Sequence, residues 1–174
     1  FWGTGDPSLL HPDFKDETVI NFLKSSKKDL YLVDNFDQVE AFGPGWSWDW
    51  YNAYYATERS AFPIYGNVVR FKKDQGEARI QVQPELFRPF LSAKLTNNWE
   101  GYRFERVQHA NLFSYQFTDK PLEDPFQTDV PFITSSEFIA GQLSQLVKRT
   151  VTLIKSPSYP VSYTHLRAHE TKAN

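Results

Sequence analysis

Apolar residues recur along this chain with two different periods, and the change of period divides it into segments. Over residues 13–25, Val19, Ile20, Phe22 and Leu23 fall on one face of a helix. Acids occupy its first turn, where the positive end of the helix dipole favours them. Lys27 and Lys28 sit where a C-terminus favours positive charge. Leu30-Tyr31-Leu32-Val33 is a short apolar run of the kind that forms a buried strand. These two pieces form a helix-to-strand unit typical of α/β layers. Residues 43–55 then form an aromatic loop, and from about residue 60 to 117 the texture becomes β. Strands are predicted over 67–71, 77–82, 103–107 and 111–117, with the clearest alternation in 77–82. Asp74-Gln75-Gly76 predicts a hairpin turn between the first two. Helical periodicity returns after Pro131. Thr134-Ser135-Ser136-Glu137 has capping-box spacing, and Phe138, Ile139, Leu143, Leu146 and Val147 share a face. Lys148-Arg149 closes that helix, and Val151-Thr152-Leu153-Ile154 predicts a last strand.

The order αβ, then a run of β, then αβ predicts a mixed α/β fold in which an α/β domain is interrupted by a small antiparallel β subdomain. The expected divisions are residues 1–58 and 129–160 for the α/β domain and 59–128 for the insertion. No internal repeat is visible. Residues 161–174 stand apart, because Val161-Ser162-Tyr163-Thr164-His165-Leu166-Arg167-Ala168-His169-Glu170-Thr171 resembles the in-frame translation of a transposase-type sequencing adapter. That tail is expected to be non-native and is left out of fold reasoning.

Composition narrows the function classes. Aromatic residues make up 17% of the chain (15 Phe, 9 Tyr, 5 Trp), enough for a core despite a mean hydropathy of -0.54. The formal charge of -2 carries no basic stripe, so the electrostatic footprint of a nucleic-acid binder is missing. No apolar run reaches the roughly eighteen residues of a membrane-spanning helix, and no signal peptide opens the chain. Without cysteine there is neither a disulfide framework nor a thiolate site, which suits a bacterial envelope protein. With no methionine and a start on Phe1-Trp2, the sequence reads as an internal piece of a longer protein. His165 and His169 have i,i+4 spacing, but two histidines fall short of a zinc ligand set. The acids from Asp119 to Asp129 lack calcium-loop spacing and read as a solvated loop. No phosphate-binding or dinucleotide fingerprint occurs, so no cofactor is expected.

Several segments carry a family resemblance. They are Gly5-Asp6-Pro7-Ser8-Leu9; Leu30-Tyr31-Leu32-Val33-Asp34-Asn35-Phe36; Gly43-Pro44-Gly45-Trp46-Ser47-Trp48-Asp49; Tyr54-Tyr55-Ala56 followed by Ser60-Ala61-Phe62 and Asn67; and Phe132-Ile133-Thr134-Ser135-Ser136-Glu137. In this order, over roughly residues 3 to 155, they resemble the class C low-molecular-mass penicillin-binding proteins, the D-alanyl-D-alanine carboxypeptidase/endopeptidase family. The loop that resembles G-P-G-W-x-W-D-D is the most specific of them. The resemblance implies accessory domains inserted into a transpeptidase-like, serine β-lactamase-like enzyme between its S-x-x-K and S-x-N motifs. The nucleophilic serine and K-T-G would then lie outside this sequence, in a missing catalytic domain that is the region's own partner. The fragment is expected to be inactive by itself. Its parent would act in the bacterial periplasm or envelope on peptidoglycan stem peptides.

Formal matches to the catalytic motifs are decoys. Ser25-Ser26-Lys27-Lys28 lies at a helix end, Tyr65-Gly66-Asn67 leads into a strand, and Lys155-Ser156-Pro157 has proline where a donating backbone nitrogen is needed. The resemblance gives the aromatic loop one role, that of reaching over the cleft to bind the free end of a diaminopimelate side chain. A carboxylate pairs with the ammonium there, and flat rings cover the methylene stem. Trp46, Asp49, Tyr54 and Tyr55 are the candidates, with Trp50 standing where the family has a second acid. Packing of Trp46, Trp48 and Trp50 onto the insertion is the competing reading; in an extended loop all three would point one way. Two other functions stay open: a non-catalytic cell-wall or carbohydrate-binding module, and a purely structural insert. Asp6 is expected to be a turn residue, Asp34 a loop hydrogen-bonder and His109 a surface or packing residue.

Overall fold

In the computed structural model, which describes residues 1–14, 16–36, 39–77, 79–95, 103–117 and 125–155, the first helix, α1 (Thr18–Ser25), begins at Thr18 rather than at residue 13. The acids upstream are used otherwise. His11 to Phe14 makes a turn closed by Phe14 N–H to His11 O at 3.1 Å, and Asp16 Oδ1 accepts the Thr18 N–H at 2.8 Å. No acid therefore lies in the first turn. Of the expected apolar face, Ile20 and Leu23 are buried while Val19 and Phe22 face solvent. Ser26, in extended conformation, ends the helix before the two lysines.

Strand β1 (Leu30–Asp34) follows, with Leu30 and Leu32 buried and Tyr31 outward. The remaining elements are β2 (Val68–Lys73), β3 (Gln81–Gln83), β4 (Leu91–Leu95), β5 (Arg103–Arg106), β6 (Phe113–Phe117), β7 (Phe126–Pro131), α2 (Ser136–Val147) and β8 (Val151–Lys155). The two αβ units meet: β1 and β8 pair in parallel from Leu30 opposite Val151 to Asp34 opposite Lys155. Between them run two three-stranded sheets, ordered β3-β2-β7 and β4-β6-β5. The fold is the mixed α/β arrangement expected, with β1 and β8 joined across the intervening β run.

Several local expectations change. The hairpin at Asp74-Gln75-Gly76 forms, and β2 and β3 are antiparallel. Its second strand is only Gln81–Gln83, because a turn from Asp74 O to Glu77 N–H takes up the residues before it. Strands β4 and β7 were not predicted, and β4 runs parallel to β6, an exception to the antiparallel expectation. The cap of α2 is Ser135, whose hydroxyl accepts the Phe138 N–H at 3.2 Å, so Thr134 and Glu137 do not form a capping box. Lys148, with φ 55°, supplies the left-handed residue that ends α2.

The two sheets share an aromatic core. Phe71 of β2 stacks on Phe104 of β5 at 4.5 Å, Phe104 meets Phe126 of β7 at 5.6 Å, and Phe87 touches Phe113, Phe132 and Phe138. Ile139, Leu143 and Val147 of α2 continue this core toward Leu32 and Val151. A charged side chain lies within β2. Arg70 stands opposite Asp129 in register and donates to it at 2.8 and 2.7 Å, while Asp13 covers the other side at 2.6 and 3.2 Å. Asp129 is thus a strand residue with a fixed partner, not a solvated loop acid. The acids at 119–124, Ser156, Pro157, His165, His169 and the tail 161–174 lie outside the described residues.

Tyr65-Gly66-Asn67 is a left-handed turn with φ of 57°, 65° and 52° leading into β2. A Cβ on Gly66 would come within 2.4 Å of the His11 ring, so the close approach also demands glycine. Asn67 is buried and donates to Ser60 Oγ at 2.9 Å and Glu58 O at 3.1 Å, a structural use of the residue. Ser25 Oγ donates to Phe22 O at the end of α1, which agrees with its reading as a helix terminus. Asp6 accepts the Ser8 N–H in a turn, Asp34 accepts from Ser136 and Phe36, and His109 is exposed.

Candidate functional site

The aromatic loop folds into a strap of short turns instead of an extended run. Trp46 N–H closes a turn onto Gly43 O at 3.2 Å, and the indole lies so close over Gly43 that a Cβ there would sit 2.9 Å from Nε1. Trp46 also meets Phe42 edge-on at 6.3 Å. Two 3-10 segments follow, Trp48–Asn52 and Tyr54–Ala56. Three residues per turn replace the period of two, so Trp46, Trp48 and Trp50 do not form one row.

The strap presents most of its rings to solvent. Trp48 is 78% exposed, Tyr54 68% and Tyr55 61%, and Asp49, which lies between Trp48 and Trp50 in the chain, is exposed without an ion-pair partner among the described residues. Tyr55 contacts Tyr54 at 5.4 Å and Trp50 at 5.8 Å, both edge to face, with interplanar angles of 81° and 77°. The structure thus brings Tyr54 and Tyr55 together and adds Trp50 to them. Asp49 adjoins the cluster along the chain, and Trp46 packs with Phe42 and Gly43.

Polar anchors hold this exposed surface to the β sheets. Arg106, the last residue of β5, has a fully covered side chain lying 5.5 Å from the centre of the Tyr51 ring. Its guanidinium donates to Val107 O at 3.2 Å and Gln108 O at 2.9 Å, and reaches Glu58 Oε1 at 3.4 Å. Its backbone N–H goes to Asn52 Oδ1 at 2.7 Å. Burial pushes the Glu58 carboxyl above its ordinary value, with Arg106 opposing. Burial likewise pulls Arg106 down, against Glu58 and Tyr51. Arg59 fastens the entry to the strap, donating to Glu40 O at 3.0 Å and Phe42 O at 3.2 Å.

Chemically, a carboxylate among exposed rings suits a cationic ligand with an apolar stem, since the rings attract the cation and the acid pairs with it. Among the described residues no group of three or more His, Asp or Glu is arranged to hold a metal, and no helix is long and apolar enough to cross a membrane. Sequence reasoning missed Tyr51, Asn52, Glu58 and Arg106 as parts of this arrangement. Glu58 and Asn52, polar residues flanking an aromatic run, were the available signal; nothing local marked Arg106.

No known protein-family model matches the chain, and no curated protein matches it. Among solved structures it is similar to penicillin-binding protein 4 of Haemophilus influenzae, with a TM-score of 0.57 and 17% identity over 91% of this chain. The same protein complexed with a novel β-lactam gives a TM-score of 0.49 and 16% identity, again over 91% of this chain. The chain spans 39% and 37% of those two chains. At such identity the likeness is one of architecture alone: the chain shares the fold of part of the first of these structures.

Proposed function

We propose that this chain is the accessory region of a serine-type D-alanyl-D-alanine carboxypeptidase/endopeptidase of the bacterial envelope, and that its aromatic strap recognises the diaminopimelate side chain of peptidoglycan stem peptides. In this reading residues 1–58 and 129–160 are the α/β accessory domain, 59–128 the inserted β subdomain, and the catalytic serine belongs to another part of the parent enzyme. Support comes from the ordered motifs and from the fold likeness to penicillin-binding protein 4. The observation that carries the reading is Asp49, an exposed acid without an ion-pair partner among the described residues, beside exposed rings on a strap anchored at both ends. Asp49 pairs with the ligand's side-chain ammonium, Tyr54 and Tyr55 cover its methylenes, and Trp46 stiffens the turn that presents them.

Exposed aromatic rings also favour a sugar-binding reading. Sugar rings stack best on a flat platform, and here the Trp50, Tyr54 and Tyr55 rings stand nearly perpendicular to their neighbours. Tryptophan fluorescence separates the two. Titration with a sugar-free stem peptide carrying diaminopimelate is expected to saturate with a dissociation constant on the order of 1 mM, as a few exposed contacts allow. Bare glycan oligomers are expected to give no saturation. Saturable glycan binding without peptide binding would replace the stem-peptide reading with that of a carbohydrate module.

A further inference from the structure

We propose that Arg106 is the positioning residue of the strap, fixing where Asp49, Tyr54 and Tyr55 stand; the inference rests on the reading of that strap as the recognition element. Three strap contacts converge on this one residue. Its guanidinium faces the Tyr51 ring at 5.5 Å and Glu58 at 3.4 Å, and its backbone N–H, on edge strand β5, is taken by Asn52 at 2.7 Å. Tyr51 and Asn52 precede Tyr54 and Tyr55, and Glu58 follows them, so the exposed pair is held from both sides.

Stability alone does not account for an arginine in this place. Its side chain is 0% exposed, its Nε has no hydrogen-bond partner among the described residues, and its carboxylate partner sits at the long distance of 3.4 Å. Replacing both members of a buried ion pair with such geometry by apolar side chains is often neutral or stabilising. What arginine adds is a flat, forked cation that faces a ring, an acid and two carbonyls at once, which neither methionine nor lysine reproduces. Arg106 acts through Tyr51 and Glu58 and does not itself reach the exposed surface.

Hydrogen exchange of the 174-residue chain, read by mass spectrometry, tests this. Arg106→Met, made together with Glu58→Gln so that no covered carboxylate is left unpaired, is expected to accelerate exchange over residues 46–57 by about tenfold while α2 and β2 exchange at the parent rate, with a melting temperature within about 5 °C of the parent. Arg106→Lys is expected to restore part of the protection. Unchanged strap exchange, or equal acceleration in α2 and β2, would overturn the proposal. Should Arg106→Met fail to fold, Tyr51→Leu, which removes the ring the guanidinium faces, decides: faster exchange confined to the strap supports the fastening, and unchanged exchange overturns it. The diaminopimelate peptide is titrated in parallel. Strap loosening in a protein whose parent form binds no peptide would remove the stem-peptide reading alone. A rigid strap in every variant of a peptide-binding protein would remove the role of Arg106 alone.

Discussion

Arg70 shows how much a single buried charge depends on its partners. Asp129 and then Asp13 hold its proton more tightly than usual. Asp129 is largely covered whereas Asp13 is 57% exposed, so the two acids should differ in weight. Asp129→Asn is expected to cost about 3 kcal/mol in urea denaturation, and Asp13→Asn about 1 kcal/mol or less. Arg70 holds the Asp13 carboxyl below its ordinary 3.8. The folded protein therefore releases that proton more readily than the unfolded chain, and this contribution, present above pH 3.8, is lost as the pH falls through the lower folded value. Glu58 works in the opposite sense. Burial raises its pKa above 4.5, so the folded state keeps the proton longer and stability declines as the pH rises from 4.5 through the raised value. Glu58→Gln is expected to flatten that decline in melting temperature measured against pH. Residue roles set by neighbours, such as Asp6 in its turn, were legible in the sequence. Arg70 with Asp129 and Arg106 with Glu58 were not, since their partners lie 59 and 48 residues away; strand register joins the first pair, and a non-strand segment that meets the end of β5 supplies Glu58 to the second.

Elements with a strong period were the legible ones. Helix α2 and strands β1 and β8 carry apolar positions that the core takes up, including Ile139, Leu143, Leu32 and Val151. The start of α2 illustrates the limit of such signals, because two hydroxyl residues compete for one cap. Ser135 makes the cap hydrogen bond, while the Thr134 hydroxyl is buried without a partner among the described residues. Ser135→Ala is accordingly expected to lose about 1 kcal/mol in thermal denaturation, and Thr134→Val to be neutral or stabilising. The reverse order would return the cap to Thr134. Strand β4 escaped detection because Ser92, Ala93, Lys94 and Leu95 are all exposed, leaving no buried alternation to read. Strand β7 was hidden by Asp129 and Pro131, residues that signal loops unless a partner strand supplies Arg70. The alternation over 77–82 misled in the other direction. Arg88 donates to the Ile80 carbonyl and Gln81 to Asp74, so turn contacts consume the start of the expected strand.

Across the whole molecule, the two ends of the described chain close on each other. Arg149 donates to the Ser26 and Lys28 carbonyls, tying the end of α2 to the end of α1, and β8 lies beside β1. The sheets between them present the strap on one strand edge through Arg106 and Asn52. An exposed acid and rings held on a rigid scaffold, away from the core, are the arrangement expected of a surface that meets a ligand. The central claim is that Asp49 recognises a side-chain ammonium, and a double-mutant cycle isolates that contact. Stem-peptide affinity is measured for the parent chain and for Asp49→Asn, each with the diaminopimelate ammonium free and acetylated. Pairing requires that Asp49→Asn weaken the free-ammonium peptide by about fivefold, near 1 kcal/mol, and leave the acetylated peptide unchanged. An equal effect on both peptides, or none on either, would contradict it.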